Sequence, residues 1–190
     1  RILTALFESV TLRTAGFETI PQTSFTSSAS LFHLILMFIG GSPGSIAGGV
    51  KTTTAFITLL YLLDGNEQRT TVSFANRRIP STIINKSITI VSRSVLILLI
   101  SAISLSYVEN HLISNGTISL IDIIYESVSA LATVGLSRGL TPQLSFLGKL
   151  IIIITMYIGR TGIYAMSIKS GFTGSDNEDL IYPEESLLVG

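Results

Sequence analysis

The chain has 190 residues, with 12 Lys and Arg against 12 Asp and Glu, and therefore no net charge; 47% of its residues are apolar and only 13% are charged, giving a mean hydropathy of +0.61. An ordinary soluble domain carries roughly a quarter charged residues, so this balance points to a membrane protein, and no nucleic-acid partner is expected. There is no cysteine, which excludes a disulfide framework and a thiolate metal site.

Residues 1–13 read as a helix too short to span a bilayer. The opening Arg1-Ile2-Leu3-Thr4-Ala5-Leu6-Phe7 looks like the inside of a repeat, so the sequence is expected to be a segment of a longer protein. Residues 14–30 are polar and irregular, and the Ser/Thr-rich stretch 19–30 reads as an outer linker. Two apolar runs, 31–39 and 55–63, flank Gly40-Gly41-Ser42-Pro43-Gly44-Ser45-Ile46-Ala47-Gly48-Gly49. A spanning helix needs about 20 apolar residues. Neither run suffices alone, so they are read as one discontinuous transmembrane element broken at 40–52. Residues 64–93 hold Arg69, Arg77, Arg78, Lys86 and Arg93 against Asp64 and Glu67, and an excess of Lys and Arg marks the cytoplasmic side. A second span is placed at 88–108 and an outer loop at 109–117, where Asn115-Gly116-Thr117 matches a glycosylation sequon of a kind common by chance. Residues 118–132 form a second short helix, 133–140 its loop and 144–168 the span that returns inward. The tail, 169–190, is then cytoplasmic.

The second half repeats the first. Phe7-Glu8-Ser9-Val10 with Thr14-Ala15-Gly16-Phe17 returns as Tyr125-Glu126-Ser127-Val128 with Thr133-Val134-Gly135-Leu136. Each copy passes through a Pro-Gln pair, Pro21-Gln22 or Pro142-Gln143, into an apolar stretch ending Met37-Phe38-Ile39-Gly40 or Met156-Tyr157-Ile158-Gly159. The spacing from Gly16 to Gly135 equals that from Gly40 to Gly159. The repeated unit is thus a short helix, a Thr-x-Gly loop and a membrane-length segment, the layout of a pore loop.

A bare cation in a membrane must recover its lost hydration, and backbone carbonyls aimed at one axis can supply it. Glycine permits the positive φ this needs, and threonine adds a hydroxyl. The carbonyl end of the preceding half-helix turns its negative dipole toward the cation. One Thr-x-Gly is no signal; two at matched positions of a repeat are. Thr14, Ala15, Gly16, Phe17, Thr133, Val134, Gly135 and Leu136 are the expected ion-binding residues. Glu8 and Glu126, at matched places before the loops, either bond the loop backbone or attract cations, with a structural bond the favoured role, and Arg13 adjoins its loop and is read as its brace. Lys149 is read as snorkelling to the outer surface. His33 and His111 have no partner at metal-ligand spacing and are assigned no role. No nucleophile–base pair or carboxylate dyad stands out, so no enzymatic chemistry is expected.

The glycine stretch invites two other readings. Gly44-x-x-x-x-Gly49-Val50-Lys51-Thr52 departs by one residue from a phosphate-binding loop, which needs Gly directly before Lys, and no soluble α/β pattern follows. Gly40, Gly44 and Gly48 recur at the spacing of close helix packing, but Pro43 and the paired glycines oppose an uninterrupted helix. Arg160 lies about 24 Å along its helix from Leu144, at about 1.5 Å per residue. A charge at that depth is costly and should face the interior or a wet cavity, unless it snorkels or bonds backbone carbonyls. It occupies the place of Gly41 in the repeat.

These motifs resemble the Trk/Ktr/HKT superfamily of potassium transporters, on Arg13 to Phe17, Ile39 to Ser45, Gly48 to Thr54 and Ala132 to Ser137. Ile158-Gly159-Arg160-Thr161-Gly162 and the tail Tyr182-Pro183-Glu184-Glu185 to Val189-Gly190 are most similar to its bacterial Ktr membrane subunits. The resemblance covers essentially the whole chain. It implies an all-α, potassium-channel-like membrane fold of repeated M1, pore helix, filter loop and M2 units, four of which surround one pore with pseudo-fourfold symmetry. The chain corresponds to the second half: residues 1–64 are the pore helix, filter and broken M2 of the third unit, 65–87 a cytoplasmic linker, 88–168 the fourth unit and 169–190 the tail. The implied function is potassium uptake across the bacterial plasma membrane. Gly40, Gly41, Ser42, Pro43, Gly44, Ser45, Gly48 and Gly49, with Arg160, are the expected gate. The implied cofactors are K+, with Na+ as an activator, and nucleotide only through a partner. The implied partners are a second copy in a homodimer and a cytosolic ring of RCK-type nucleotide-binding subunits, contacted through 66–87 and the tail. Charge alone would equally suit anionic lipid there. The alternatives are a sodium-permeable or Trk-type relative, a secondary transporter with broken helices, and a non-conducting regulatory membrane subunit. Gly16 and Gly135 favour potassium over the sodium-permeable members in which serine replaces a filter glycine.

Overall fold

The computed structural model describes residues 2–64, 72–74 and 77–161. Among them the fold is mostly helical. Helix α1 (Ile2–Thr11) leads through a polar loop and a single 3-10 turn at Gln22–Ser24 into α2 (Ser27–Phe38). Thr26 starts α2 by accepting a hydrogen bond from the Ala29 N–H at 3.3 Å, which satisfies one of the free donors at a helix N-terminus. The chain then breaks and resumes as α3 (Thr52–Asp64). Strands β1 (Val72–Phe74) and β2 (Arg77–Ile79) form a small antiparallel hairpin within the segment 65–87 expected to be a linker. Helices α4 (Ser81–Val108), α5 (Asn110–Ser114), α6 (Leu120–Ala132) and α7 (Phe146–Thr161) complete the described chain. The end of the last span, Arg69 and the whole tail 169–190 lie outside the described residues.

Helix α4 begins seven residues before the expected span, at Ser81 rather than at residue 88, and takes in part of the segment assigned to the linker. Pro80 stands just before its first residue, where a missing N–H is no loss. Hydropathy marks the part of a helix that lies in lipid, not where its hydrogen bonds start. At about 1.5 Å per residue, the 28 residues of α4 reach about 42 Å, against about 30 Å of hydrocarbon. It is the one helix among the described residues long and apolar enough to cross a membrane. Helices α2 and α3 are apolar but short, and a non-helical segment separates them. The expected outer loop at 109–117 contains α5.

Packing centres on α6. It lies against α2, α4 and α7, and α4 also packs on α7 and α3. Ser101 on α4 and Thr155 on α7 share a buried hydrogen bond of 2.9 Å. A capping box at Ser119 and Asp122 starts α6. One core cluster joins the two repeats through Leu12, Met37, Tyr125, Val128, Ala132, Val134 and Leu136. A second lies within the second repeat, around Leu105, Ile123, Ala130, Leu140 and Ile152. The matched helix α1 is far less covered: it buries Glu8 and Thr11 and exposes Ile2, Leu3, Leu6 and Val10. The difference follows from what packs on each helix, since α6 has α4 along its flank and α1 has no counterpart of α4 among the described residues.

Candidate functional site

The two Thr-x-Gly loops share one backbone signature. Thr14 and Thr133 have φ of 68° and 54°, and Gly16 and Gly135 have φ of 75° and 92°. They are the described non-glycine residues with positive φ. A β-branched residue in that region is an outlier and costs about 1–3 kcal/mol. The strain is present twice, at matched positions.

Both loops are pinned to the helix before them. The N–H groups of Ala15 and Gly16 both donate to the Thr11 carbonyl at 3.1 Å. The Val134 N–H donates to the Ser129 carbonyl at 2.9 Å. Thr11 Oγ1 donates to the Phe17 carbonyl at 2.6 Å, and Ser129 Oγ accepts from the Gly135 N–H at 3.2 Å. Thr11 and Ser129 were missed in the sequence. Their signal was there: each is a hydroxyl residue three places after the matched glutamate. The second copy is one residue longer between its glutamate and its threonine, and α6 absorbs that residue by ending at Ala132. The loops also meet. A methyl group on Gly16 would lie 2.0 Å from the Val134 carbonyl oxygen, so only glycine admits this approach.

The glutamates bond side chains, not the backbone of the Thr-x-Gly loops. Buried Glu8 accepts from Gln22 Nε2 at 3.4 Å. Buried Glu126 accepts from Ser137 Oγ at 2.7 Å and from Thr141 Oγ1. Both therefore anchor the chain that follows the filter.

The glycine stretch is a closed loop, not a helix. Its stem is tied by the Gly40 N–H to Val50 carbonyl bond at 2.9 Å, the Val50 N–H to Phe38 carbonyl bond at 3.0 Å and the Thr52 N–H to Gly41 carbonyl bond at 3.2 Å. The Gly48 limb presses on the second Thr-x-Gly loop: a methyl group there would lie 2.2 Å from Thr133 Oγ1 and 2.3 Å from the Ala132 carbonyl oxygen. Non-helical backbone at membrane depth must find partners inside the protein or in water. Three successive carbonyls find cations. Lys51 Nζ donates to those of Ser45 at 3.0 Å and Ala47 at 2.5 Å, and Arg160 Nη1 donates to that of Ile46 at 2.9 Å. Arg13 Nε donates to the Gly40 carbonyl at 3.1 Å, so it braces this loop's stem rather than the Thr14 to Phe17 loop. Lys51 was not singled out in the sequence beyond its place in the failed phosphate-loop match. Ser45 to Gly49, Lys51, Gly159 and Arg160 line a small cavity here.

The repeats diverge at this level. Gly159, the counterpart of Gly40, sits inside α7 and brings it close to α6, with a methyl there only 2.0 Å from the Leu131 carbonyl oxygen. The first repeat ends its helix at Phe38; the second runs on through Arg160. Among the described residues no His, Asp and Glu cluster could hold a metal ion. His33 is buried beside Phe25, and His111 lies 3.9 Å from Glu109.

The family model described as a cation transport protein, TrkH, matches residues 1–177. The chain is 34% identical to the potassium/sodium uptake protein NtpJ of Enterococcus hirae, over all of this chain and 42% of that protein. It is 33% identical to the Ktr system potassium uptake protein D of Bacillus subtilis, over 98% of this chain and 40% of that one. It is also 33% identical to the Ktr system potassium uptake protein B of Vibrio alginolyticus, over 99% of this chain and 39% of that one. The chain thus spans about two fifths of the length of these curated relatives.

Proposed function

The chain belongs to the TrkH family of cation transport proteins, a family of membrane transporters close to the Ktr uptake proteins, and from that premise we propose that it lines half of a potassium-uptake pore. The observation that carries this is the pair of strained loops, Thr14 to Phe17 and Thr133 to Leu136, with one φ pattern and their backbones in contact. Their carbonyls and threonine hydroxyls replace the water of a passing K+ ion. Two such loops cannot encircle an ion, and the missing half of the ring comes from the two further units of the four-unit arrangement that precedes this segment in the longer protein. Potassium is cargo, and no covalent step is involved.

The loop 40–52 is the gate of this pore. It stands against the base of the second filter loop at Gly48, and its carbonyls are held by Lys51 and Arg160. A fixed positive charge beside a cation path also raises the barrier to passage. The complete protein acts as a homodimer in the bacterial plasma membrane, regulated by cytosolic RCK-type subunits that bind nucleotide and docked at 66–87 and the tail, with Na+ as an activating ion. A sodium-permeable pore is the second reading, favoured by the name of the relative from Enterococcus hirae.

Flux of K+ against Na+ by the complete protein in liposomes, with and without the cytosolic partner, tests the proposal. Potassium flux well above sodium flux is expected, rising with the partner. Equal fluxes would favour the second reading, and no ion flux at all would favour a regulatory membrane subunit.

A further inference from the structure

Arg138 lies in the loop just after the second filter, and every hydrogen bond recorded for it leaves that loop. Its Nε donates to Asp122 Oδ1 at 2.7 Å, at the start of α6. Its Nη1 donates to the Gln22 carbonyl at 2.9 Å and to Ser30 Oγ at 2.7 Å, both in the first repeat. The guanidinium also stands 6.0 Å from the centre of the Tyr125 ring. The partners are themselves fixed. Gln22, Ser30 and Tyr125 are fully buried. Tyr125 Oη donates to Gln22 Oε1 at 2.8 Å, and Asp122 Oδ2 accepts from the Ser119 N–H at 2.9 Å. One side chain therefore ties the second filter's exit loop and pore helix to the outer loop and α2 of the first repeat.

The internal repeat makes the arrangement specific to this junction. By the register of the glycines, Arg138 matches Thr19; by the register of the glutamates, Asp122 matches Thr4. The first copy is neutral where the second carries an ion pair. A planar guanidinium offers several donors in a rigid fork and can join two bodies at set positions, which a lysine cannot reproduce. Its charge is matched by Asp122, so it does not oppose the entry of cations.

We propose that Arg138 is a positioning residue for ion selection: a strut that sets the distance between the two filter loops and so the fit of the ion between their carbonyls. This rests on the cation-filter reading above. The test uses the complete protein in liposomes with Arg138→Gln and Arg138→Lys, reading the K+/Na+ flux ratio beside total K+ flux and thermal melting. Arg138→Gln should lower the ratio by roughly five-fold or more, the lower end of couplings between distinct sites, with Arg138→Lys falling between it and wild type. A second arm places spin labels on Thr23→Cys and Phe146→Cys, one in each repeat, in a segment that has no cysteine of its own. The label distance should be narrow in wild type and shift or broaden with Arg138→Gln. If Arg138→Gln does not fold, Ser30→Ala removes one bond, leaves the ion pair and should move both readouts in the same direction. An unchanged ratio with an unchanged distance overturns the inference, as does a fall in total flux at constant ratio. The distance arm requires no flux, so a wild-type protein that conducts nothing would remove the filter reading without deciding the strut.

Discussion

Gly48→Ala separates contact from backbone strain in the intramembrane loop. The added methyl would stand 2.2 Å from Thr133 Oγ1, 2.3 Å from the Ala132 carbonyl oxygen and 2.8 Å from the carbonyl carbon behind it. Two of the three obstacles are backbone, so no side-chain rotation relieves them. Gly48 has no positive φ, so alanine fits its own backbone and the whole cost is contact. Overpacking of this kind costs about 1–3 kcal/mol, and the cheapest relief is for the loop to swing away from the second filter. Gly44→Ala is the control. It has φ of 81° with nothing within 4 Å of the added atom, so it costs about 1–2 kcal/mol of backbone strain and displaces nothing. Both variants should melt at lower temperature. In liposomes without any cytosolic partner, Gly48→Ala should raise basal K+ flux and Gly44→Ala should not. Equal flux in the two variants would refute the claim that contact with the filter matters. Unchanged melting and flux in Gly48→Ala would refute the contact itself.

Arg160→Gln removes the charged donor from the Ile46 carbonyl and should raise basal flux; Lys51→Met should do the same, and the double variant should gain less than the sum, because both hold one loop. Ser129→Ala loses the hydroxyl that receives the Gly135 N–H, costs about 0.5–1.5 kcal/mol and should lower the K+/Na+ flux ratio more than the total flux. Glu109 is fully buried and accepts from the Ser145 N–H at 2.9 Å and Ser145 Oγ at 2.6 Å, joining the C-terminal end of α4 to the start of α7. Glu109→Ala should therefore cost about 1–3 kcal/mol, seen as a lower melting temperature, with the flux ratio of the folded protein unchanged.

Much of the site was legible because its requirements are local. Positive φ calls for glycine, so Gly16 and Gly135 announced the loops. Paired glycines with Pro43 announced a broken helix, and the break runs from the end of α2 to the start of α3. A charge within an apolar run made Arg160 conspicuous, and it donates to one backbone carbonyl, that of Ile46. The partners were not legible. Glu8 and Glu126 hold side chains beyond the Thr-x-Gly loops, Arg13 reaches the stem of the 40–52 loop rather than its own Thr-x-Gly loop, Lys51 stood in a motif that did not tell its partners, and Arg138 carried no periodic or motif signal. Hydropathy also misplaced the start of α4, since its first turns are polar yet helical.

By itself the sequence determined that the chain is a membrane protein poor in charge, that a short helix and a Thr-x-Gly loop recur in it, and where the backbone must turn left-handed or break. These follow from composition, period and the steric demands of single residues, and each is written within a few positions. Which repeat's cations and carbonyls meet was decided only by the tertiary structure. Arg160 and Ile46, or Arg138 and Gln22, lie more than a hundred residues apart. Their contact depends on how α2, α4, α6 and α7 pack, and side-chain packing between distant segments leaves no period in the chain.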